Sequence, residues 1–249
     1  MKAMILAAGL GTRLRPWTLS HPKALVPVGG VPMLQRVICR LRDDGFDRIV
    51  VNVHHFASQI TDFLAANDFG VDIAVSDESG ELLDTGGGVL HARRFLATDD
   101  APFLVHNVDI LSTADLPALM SSHRPESVAT LLVSERDSSR RLVFDKEDAL
   151  MAWHNLRDGA WRPEGYEPAP TDKELAFSGI YVLGTEVLGL MEAQGFSGRF
   201  PIMDFFLRNA ATGKIKGYAD NRLQLIDIGK PETLSRANCG LLSDNQISS

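Results

Sequence analysis

The chain has 249 residues, of which 45% are hydrophobic and 23% are charged, so it is long and apolar enough to bury a large core. Its net charge is −7 at pH 7 and it has no run of Lys or Arg, which argues against nucleic-acid binding because that binding depends on neutralising phosphates. No apolar stretch is long enough to span a bilayer, and the N-terminal apolar run is shorter than the core of a signal peptide. We therefore expect a cytoplasmic, soluble protein without a membrane partner.

The cysteines give no sign of a disulfide or a metal site. Cys39 and Cys239 are the only two, and they lie far apart in the sequence. Neither has neighbours at the spacing of metal ligands. We expect both to be small buried residues in helices of a reduced protein.

Strands and helices alternate through the first half of the chain. The spacing of apolar residues predicts strands at Met4–Ala8, Arg48–Val53, Val71–Ser76 and Pro102–His106, and helices at Val31–Asp44, Ala57–Ala66 and Val89–Leu96. This alternation predicts an α/β fold with a Rossmann-like, mainly parallel sheet flanked by helices. Ligands of such sheets bind outside the carboxyl ends of the strands.

The second half is less regular. Its predicted strands are Val128–Ser134, Leu142–Phe144, Ala176–Leu183, Lys214–Tyr218 and Leu223–Asp227, and its predicted helices are Pro201–Ala211 and Pro231–Leu242. The segment Arg157–Thr171 contains three prolines and no periodicity. Such a segment is typical of a surface loop or lid.

A glycine-rich segment follows the first predicted strand. Gly9 and Gly11 allow backbone conformations closed to other residues, so the main chain can approach a ligand and direct N–H groups at anionic oxygens. Arg13 and Lys23 add positive charge nearby. These features are typical of a phosphate-binding loop, and a surface turn that contains glycines and bases by chance is the alternative.

Two linked motifs resemble the signature of the sugar-1-phosphate nucleotidyltransferases, also called nucleotide-sugar pyrophosphorylases. They are LAAGLGTRLRP at Leu6–Pro16 and PKALVPV at Pro22–Val28. The resemblance implies a GT-A-like fold in a single domain, residues 1–249, with a nucleotide-binding half (1–135) and a smaller sugar-binding lobe with closing helices (136–249). The hexapeptide repeat that builds a C-terminal β-helix in some larger relatives is absent from the sequence.

The resemblance also implies roles for individual residues at the nucleotide. Arg13 and Lys23 are the expected catalytic residues. The segment Asp84–Gly88 resembles the family loop that lines the base, and a tight turn at the start of a helix is the alternative for its three glycines. The expected nucleotide-binding residues are Ala8, Gly9, Gly11, Thr12, Arg13, Lys23, Gly86 and Gly87.

Two separated acids complete the expected reaction centre. Asp109 and Asp227 each end an apolar segment, where either one alone is equally well explained as a cap or turn residue. The resemblance assigns both to the metal. Mg²⁺ prefers one or two carboxylates together with substrate phosphates and water, so Mg²⁺ is the expected cofactor.

The sugar side is less well defined. Asn107 and Gly179 match family positions that contact the sugar, but the usual glycine after Asn107 is Val108, and the usual pair of acids followed by lysine is missing. Arg140 and Arg141 could meet an acidic sugar or could be solvated surface charges.

The expected reaction joins a nucleoside triphosphate to a sugar 1-phosphate and releases pyrophosphate. Within the family, the resemblance favours small bacterial uridylyltransferases that use UTP and N-acetylmuramate 1-phosphate, with mannose- or heptose-1-phosphate guanylyltransferases as the alternative. A non-catalytic regulator that binds nucleotide sugars should have lost Arg13, Lys23 or Asp109, and all three are present. A glycosyltransferase should carry an Asp-x-Asp motif, which we do not find after the fourth strand. We expect a monomer or a homodimer.

Overall fold

The computed structural model describes residues 1–238, so the expectation for Cys239 lies outside the described residues. In chain order the strands are β1 (Lys2–Leu6), β2 (Pro27–Val28), β3 (Val31–Pro32), β4 (Arg48–Val53), β5 (Asp72–Asp77), β6 (Phe103–Asn107), β7 (Ile110–Ser112), β8 (Ala129–Ser134), β9 (Arg140–Phe144), β10 (Leu150–Asn155), β11 (Ala160–Arg162), β12 (Lys173–Leu183), β13 (Ile215–Ala219) and β14 (Leu225–Asp227). The α-helices are α1 (Met33–Asp43), α2 (Ala57–Ala66), α3 (Asp84–His91), α4 (Arg93–Leu96), α5 (Leu116–Ser122), α6 (Glu186–Ala193), α7 (Ile202–Arg208) and α8 (Pro231–Asn238). Three one-turn 3₁₀ helices lie at Thr12–Leu14, Trp17–Leu19 and Lys23–Leu25.

The first half forms the parallel part of one sheet, as predicted. Its strands lie side by side in the order β6-β1-β4-β5, and all three pairings are parallel. Lys2 of β1 is level with Arg48 of β4 and Phe103 of β6, so these three strands end at nearly the same height. The carboxyl ends of β1, β4 and β6 therefore share one edge of the sheet, and the predicted Rossmann-like arrangement is confirmed.

Antiparallel strands extend the same sheet through the second half. The long strand β12 pairs antiparallel with β6, β8 and β9, and the sheet continues through β10 to β11. Strand β13 lies parallel to β8. One ten-stranded sheet thus runs through both of the predicted halves.

Two apolar clusters cover the two faces of the sheet. Successive residues of a strand point to opposite faces, so Ala3 and Ile5 join one cluster while Met4 joins the other. Helices α1 and α7 each bury an apolar stripe, α1 in the first cluster and α7 in the second. Within residues 1–238, no helix is both long and apolar enough to cross a bilayer.

Several predicted boundaries differ from those observed. Strand β4 and helix α2 match the predictions. Strand β1 ends at Leu6, and Ala7 and Ala8, which were predicted to belong to it, lie in the loop that follows. Helix α1 starts two residues late because Val31–Pro32 pairs with Pro27–Val28. The predicted loop Arg157–Thr171 contains strand β11 on the edge of the sheet. Cys39 lies in α1 as expected but is only half-buried.

The prediction that a helix starts at Val89 after a glycine loop was wrong. Helix α3 begins at Asp84, so Gly86, Gly87 and Gly88 lie inside it and are buried. A Cβ atom on Gly86 would overlap the ring of Phe200, and one on Gly87 would overlap the carbonyl oxygen of Gly198. These glycines let α3 pack closely against the segment before α7, a contact that the local sequence does not reveal.

This packing predicts opposite effects of two Gly→Ala substitutions. Gly87→Ala should lower the free energy of unfolding by about 1–3 kcal/mol because the new methyl group overlaps backbone. Gly189→Ala is the control, since Gly189 is exposed in α6 with open space around its Cβ position. The control should gain up to about 1 kcal/mol from helix propensity. Urea unfolding measures both changes, and an unaffected Gly87→Ala variant would contradict this packing.

Candidate active site

A cavity of about 260 Å³ opens at the shared carboxyl edge of β1, β4 and β6. Five of the predicted site residues line it, namely Ala8, Gly9, Lys23, Asn107 and Asp109. Asp84 and Thr85, from the segment expected to line the base, also line it, as does Asn52, which was not predicted. The cavity lies where ligands of parallel α/β sheets bind.

The glycine-rich loop presents backbone donors beside this cavity. Among residues 1–238, the N–H groups of Gly9, Leu10 and Gly11 donate to no protein acceptor. Gly11 has a φ of 63°, and a Cβ atom there would lie 2.8 Å from the Cβ of Lys23. The hydroxyl of Thr18 donates to the carbonyl oxygen of Gly11 at 2.9 Å. The loop is therefore held against Lys23 with N–H groups available to an anion.

Lys23 and Asp109 form an ion pair at the edge of the cavity. The Lys23 ammonium donates to Oδ2 of Asp109, and the two side chains are only 13% and 16% exposed. Lys23 begins a 3₁₀ turn, whereas Asp109 follows the end of β6. This contact joins the motif Pro22–Val28 to the segment that follows β6.

Strand pairing brings Asp227, from the C-terminal part of the chain, close to Asp109. Strand β14 pairs antiparallel with β7, which sets Asp227 level with Ile110, one residue beyond Asp109. A Cβ atom on Gly229 would lie 2.8 Å from Oδ1 of Asp227, 3.2 Å from Oδ2 of Asp109 and 2.7 Å from Nη2 of Arg13. Both predicted metal-binding acids and the predicted catalytic residue Arg13 thus converge on Gly229.

The residues present suit Mg²⁺ better than a metal held by protein alone. Within residues 1–238 no three His, Cys, Asp or Glu side chains are grouped as a metal site. Two carboxylates converge, however, and Mg²⁺ takes its remaining oxygens from phosphates and water. The donor set therefore fits an ion that binds together with a nucleotide.

The two predicted sugar-side residues are neighbours. Gly179 has a φ of 80°, and a Cβ atom there would lie 2.6 Å from Nδ2 of Asn107. Strand β12 carries Gly179 past the end of β6, where Asn107 lines the cavity. Val108, which replaces the usual glycine, is 4% exposed and lines the same cavity.

A buried hydrogen-bond network behind the cavity was missed from the sequence. Asn52 accepts a hydrogen bond from the N–H of Ala7 at 2.6 Å and donates to Oε1 of Glu78 at 2.6 Å. Glu78 is 3% exposed, and burial raises the pKa of its carboxyl. The polar Asn52 within the apolar strand β4 was the one available signal.

Gly86 and Gly87 stand behind the cavity wall rather than on it. Their N–H groups both donate to the carbonyl oxygen of Phe200, at 2.9 and 3.1 Å. The cavity is instead lined by Asp84 and Thr85 of the same helix. Contact of the base with this turn of α3 stays a prediction.

The comparisons with known proteins agree with the geometry. The family model described as nucleotidyl transferase matches residues 2–244. The chain therefore belongs to the nucleotidyl transferase family, and the predicted family assignment is confirmed.

Individual relatives in this family act on different sugars and nucleotides. The chain is 31% identical over 246 residues to an N-acetylmuramate alpha-1-phosphate uridylyltransferase of Caulobacter vibrioides, covering 96% of each protein. It is 40% identical over 258 residues to a mannose-1-phosphate guanyltransferase of Gibberella zeae, covering 98% of this chain but 65% of that relative. The crystal structure of HddC from Yersinia pseudotuberculosis has a TM-score of 0.76 at 25% identity, covering 95% of this chain and 97% of that one.

The raised pKa of Glu78 predicts a pH dependence of stability. Below the ordinary glutamate pKa of 4.5, the carboxyl is protonated in both folded and unfolded chains. As the pH rises through the higher folded-state pKa, the unfolded chain has already lost its proton, so the free energy of unfolding falls. Glu78→Gln should lack this fall. Urea unfolding between pH 4 and pH 8 measures the difference, and parallel curves for the two proteins would contradict the burial of an ionisable Glu78.

Proposed function

We propose that the chain transfers a uridylyl group from UTP to N-acetylmuramate 1-phosphate and releases pyrophosphate. The main support for this reaction is that Arg13, Lys23, Asp109 and Asp227 converge beside a cavity at the strand ends. The choice of sugar and base is supported by similarity to the Caulobacter enzyme across 96% of both chains. A GTP-dependent mannose-1-phosphate enzyme is the second candidate, favoured by the higher identity to the Gibberella protein.

The reaction needs no nucleophilic side chain. A sugar 1-phosphate is largely dianionic at neutral pH because the second pKa of a phosphate monoester is about 6. Its oxygen attacks the α-phosphorus of UTP, a new P–O bond forms, and the bond from the α-phosphorus to the oxygen bridging to the β-phosphate breaks. Pyrophosphate leaves with that bridging oxygen. The protein's task is to align the two phosphates and neutralise their charge.

The cationic groups are placed for that task. The N–H groups of Gly9 to Gly11, which have no acceptor among residues 1–238, and the guanidinium of Arg13 would bind the phosphates that leave as pyrophosphate. Lys23 would bind the α-phosphate and the sugar phosphate. In the structure, Lys23 forms an ion pair with Asp109. Binding of the substrates would therefore exchange this ion pair for contacts between Lys23 and phosphate.

Asp109 and Asp227 would hold Mg²⁺ once Lys23 turns to the phosphates. When bound, the ion acts as a Lewis acid that draws charge from the phosphoryl oxygens. The two carboxylates would hold it from the segment after β6 and from the end of β14. We place the enzyme in the cytoplasm, where nucleoside triphosphates are available, as a monomer or homodimer.

A substrate panel tests the proposed reaction. Pyrophosphate release is measured with each of UTP, GTP, CTP and dTTP against N-acetylmuramate, N-acetylglucosamine, glucose and mannose 1-phosphates, in the presence of Mg²⁺. The expected best pair is UTP with N-acetylmuramate 1-phosphate. A best pair of GTP with mannose 1-phosphate would favour the second candidate. No release from any pair would support a non-catalytic binding protein.

Two substitutions test the catalytic assignment. Arg13→Ala and Lys23→Ala should each lower kcat by roughly a hundredfold or more, because each removes a charge that faces the transferred phosphates. Lys146→Ala is the control, since Lys146 is exposed on the turn between β9 and β10. Steady-state pyrophosphate release is compared at equal folded fraction. Full turnover by either site variant would contradict its catalytic role.

A further inference from the structure

A second cavity, of about 540 Å³, has Asp227 in its lining. Three arginines, Arg136, Arg140 and Arg162, line it together with Asp204 and Asp227. Asp227 also belongs to the group that converges on Gly229, so the cavity borders the reaction centre. Its arginines take no part in the reaction described above.

The antiparallel end of the sheet places Arg140 and Arg162 on one face. Arg140 and Leu142 are two residues apart on β9, so their side chains share a face. Leu142 is level with Trp153 of β10, and Trp153 is level with Arg162 of β11. All four residues line the cavity. The intervening Arg141 points to the opposite face and donates from Nε to the carbonyl oxygen of Ser138 at 3.0 Å.

Not all of this positive charge is neutralised by the protein. Arg162 pairs with Asp204 at 2.8 Å, whereas Arg136 and Arg140 form no direct ion pair among residues 1–238, and the charge of Asp227 acts on Arg136 from a greater distance. Nη2 of Arg136 donates to the carbonyl oxygen of Phe177 at 2.7 Å, but its buried Nε has no acceptor in the same part of the chain. Burial also lowers the pKa of this guanidinium. A buried unpaired donor on a cation is costly unless a ligand supplies the acceptor.

We propose that this arginine cavity binds a carboxylate carried by the sugar, so that the enzyme selects acidic sugar 1-phosphates. Guanidinium groups bind carboxylates through paired, charge-assisted hydrogen bonds. Trp153 and Phe177 provide an apolar wall for the non-polar parts of the same sugar. The proposal rests on the proposed function for the presence of a sugar 1-phosphate, and it adds the group that sets the choice of sugar.

A matched pair of substrates isolates the carboxylate. N-acetylmuramate 1-phosphate is N-acetylglucosamine 1-phosphate with a lactyl ether, so the two differ only in the group that carries the carboxylate. Both carry the 1-phosphate, and therefore an arginine that binds only phosphate affects the two substrates equally. Their ratio of kcat/KM values with UTP reports recognition of the carboxylate alone.

Arg140→Ala is the main variant because Arg140 is exposed and its loss should not disturb folding. It should lower kcat/KM for N-acetylmuramate 1-phosphate by roughly tenfold to a hundredfold, the range expected for a hydrogen bond between charged groups. The value for N-acetylglucosamine 1-phosphate should change by less than about twofold. Arg136→Met, which keeps the apolar stem, should act in the same direction. Arg141→Ala is the matched control from the opposite face, and it should leave the ratio unchanged.

Calorimetric binding of the two sugar phosphates separates failure of this proposal from failure of the proposed function. The wild-type protein should bind the acidic sugar phosphate more tightly than the neutral one, and Arg140→Ala should remove this difference. That result would support the cavity's role even if another nucleotide proves to be the substrate. Equal losses for both sugars, or no loss for either, would overturn the carboxylate assignment while leaving uridylyl transfer intact. Equal affinity of the wild-type protein for the two sugars would also overturn it.

Discussion

The ion pair between Lys23 and Asp109 is the contact on which the site depends. It joins a short turn after the glycine-rich loop to the end of a central strand, and both side chains are largely shielded from water. Oppositely charged groups that leave bulk water interact more strongly than exposed pairs. The same two groups are those expected to meet phosphate and metal. In the structure these two charges pair with each other.

The sheet brings these charges together from distant parts of the chain. Parallel pairing places the ends of β1 and β6 side by side, so the phosphate loop and Asp109 leave the sheet at one edge. The small pairing of β14 with β7 then returns the C-terminal Asp227 to that edge. Gly229 lies between the acids and Arg13 because a side chain there would occupy the space that these groups share. Strand order thus determines how these charged groups are arranged, and Gly229 leaves space between them.

The sequence predicted what depends on local pattern. The phosphate loop was recognised from its glycines and bases, whereas the roles of Lys23 and Asp109 came from the resemblance of their segments to family motifs. The link from Asn52 to Glu78 was missed because it joins the ends of neighbouring strands and depends on their register. Gly86 and Gly87 were wrongly assigned to a loop. The contacts that require glycine there come from Phe200 and Gly198, more than a hundred positions later, and the local sequence does not show them. Arg136 was not identified from the sequence, because only the structure shows that its buried Nε has no acceptor among residues 1–238.

The claim that Asp109 and Asp227 jointly bind the ion that accompanies the nucleotide is most directly tested by Mn²⁺ binding. Electron paramagnetic resonance measures free Mn²⁺ in the presence of UTP for the wild-type protein, Asp109→Asn and Asp227→Asn, with Asp100→Asn as a control at an exposed site without side-chain contacts among residues 1–238. Our account predicts that each of the two site variants weakens Mn²⁺ binding while the control does not. Unchanged Mn²⁺ affinity in either site variant would contradict it.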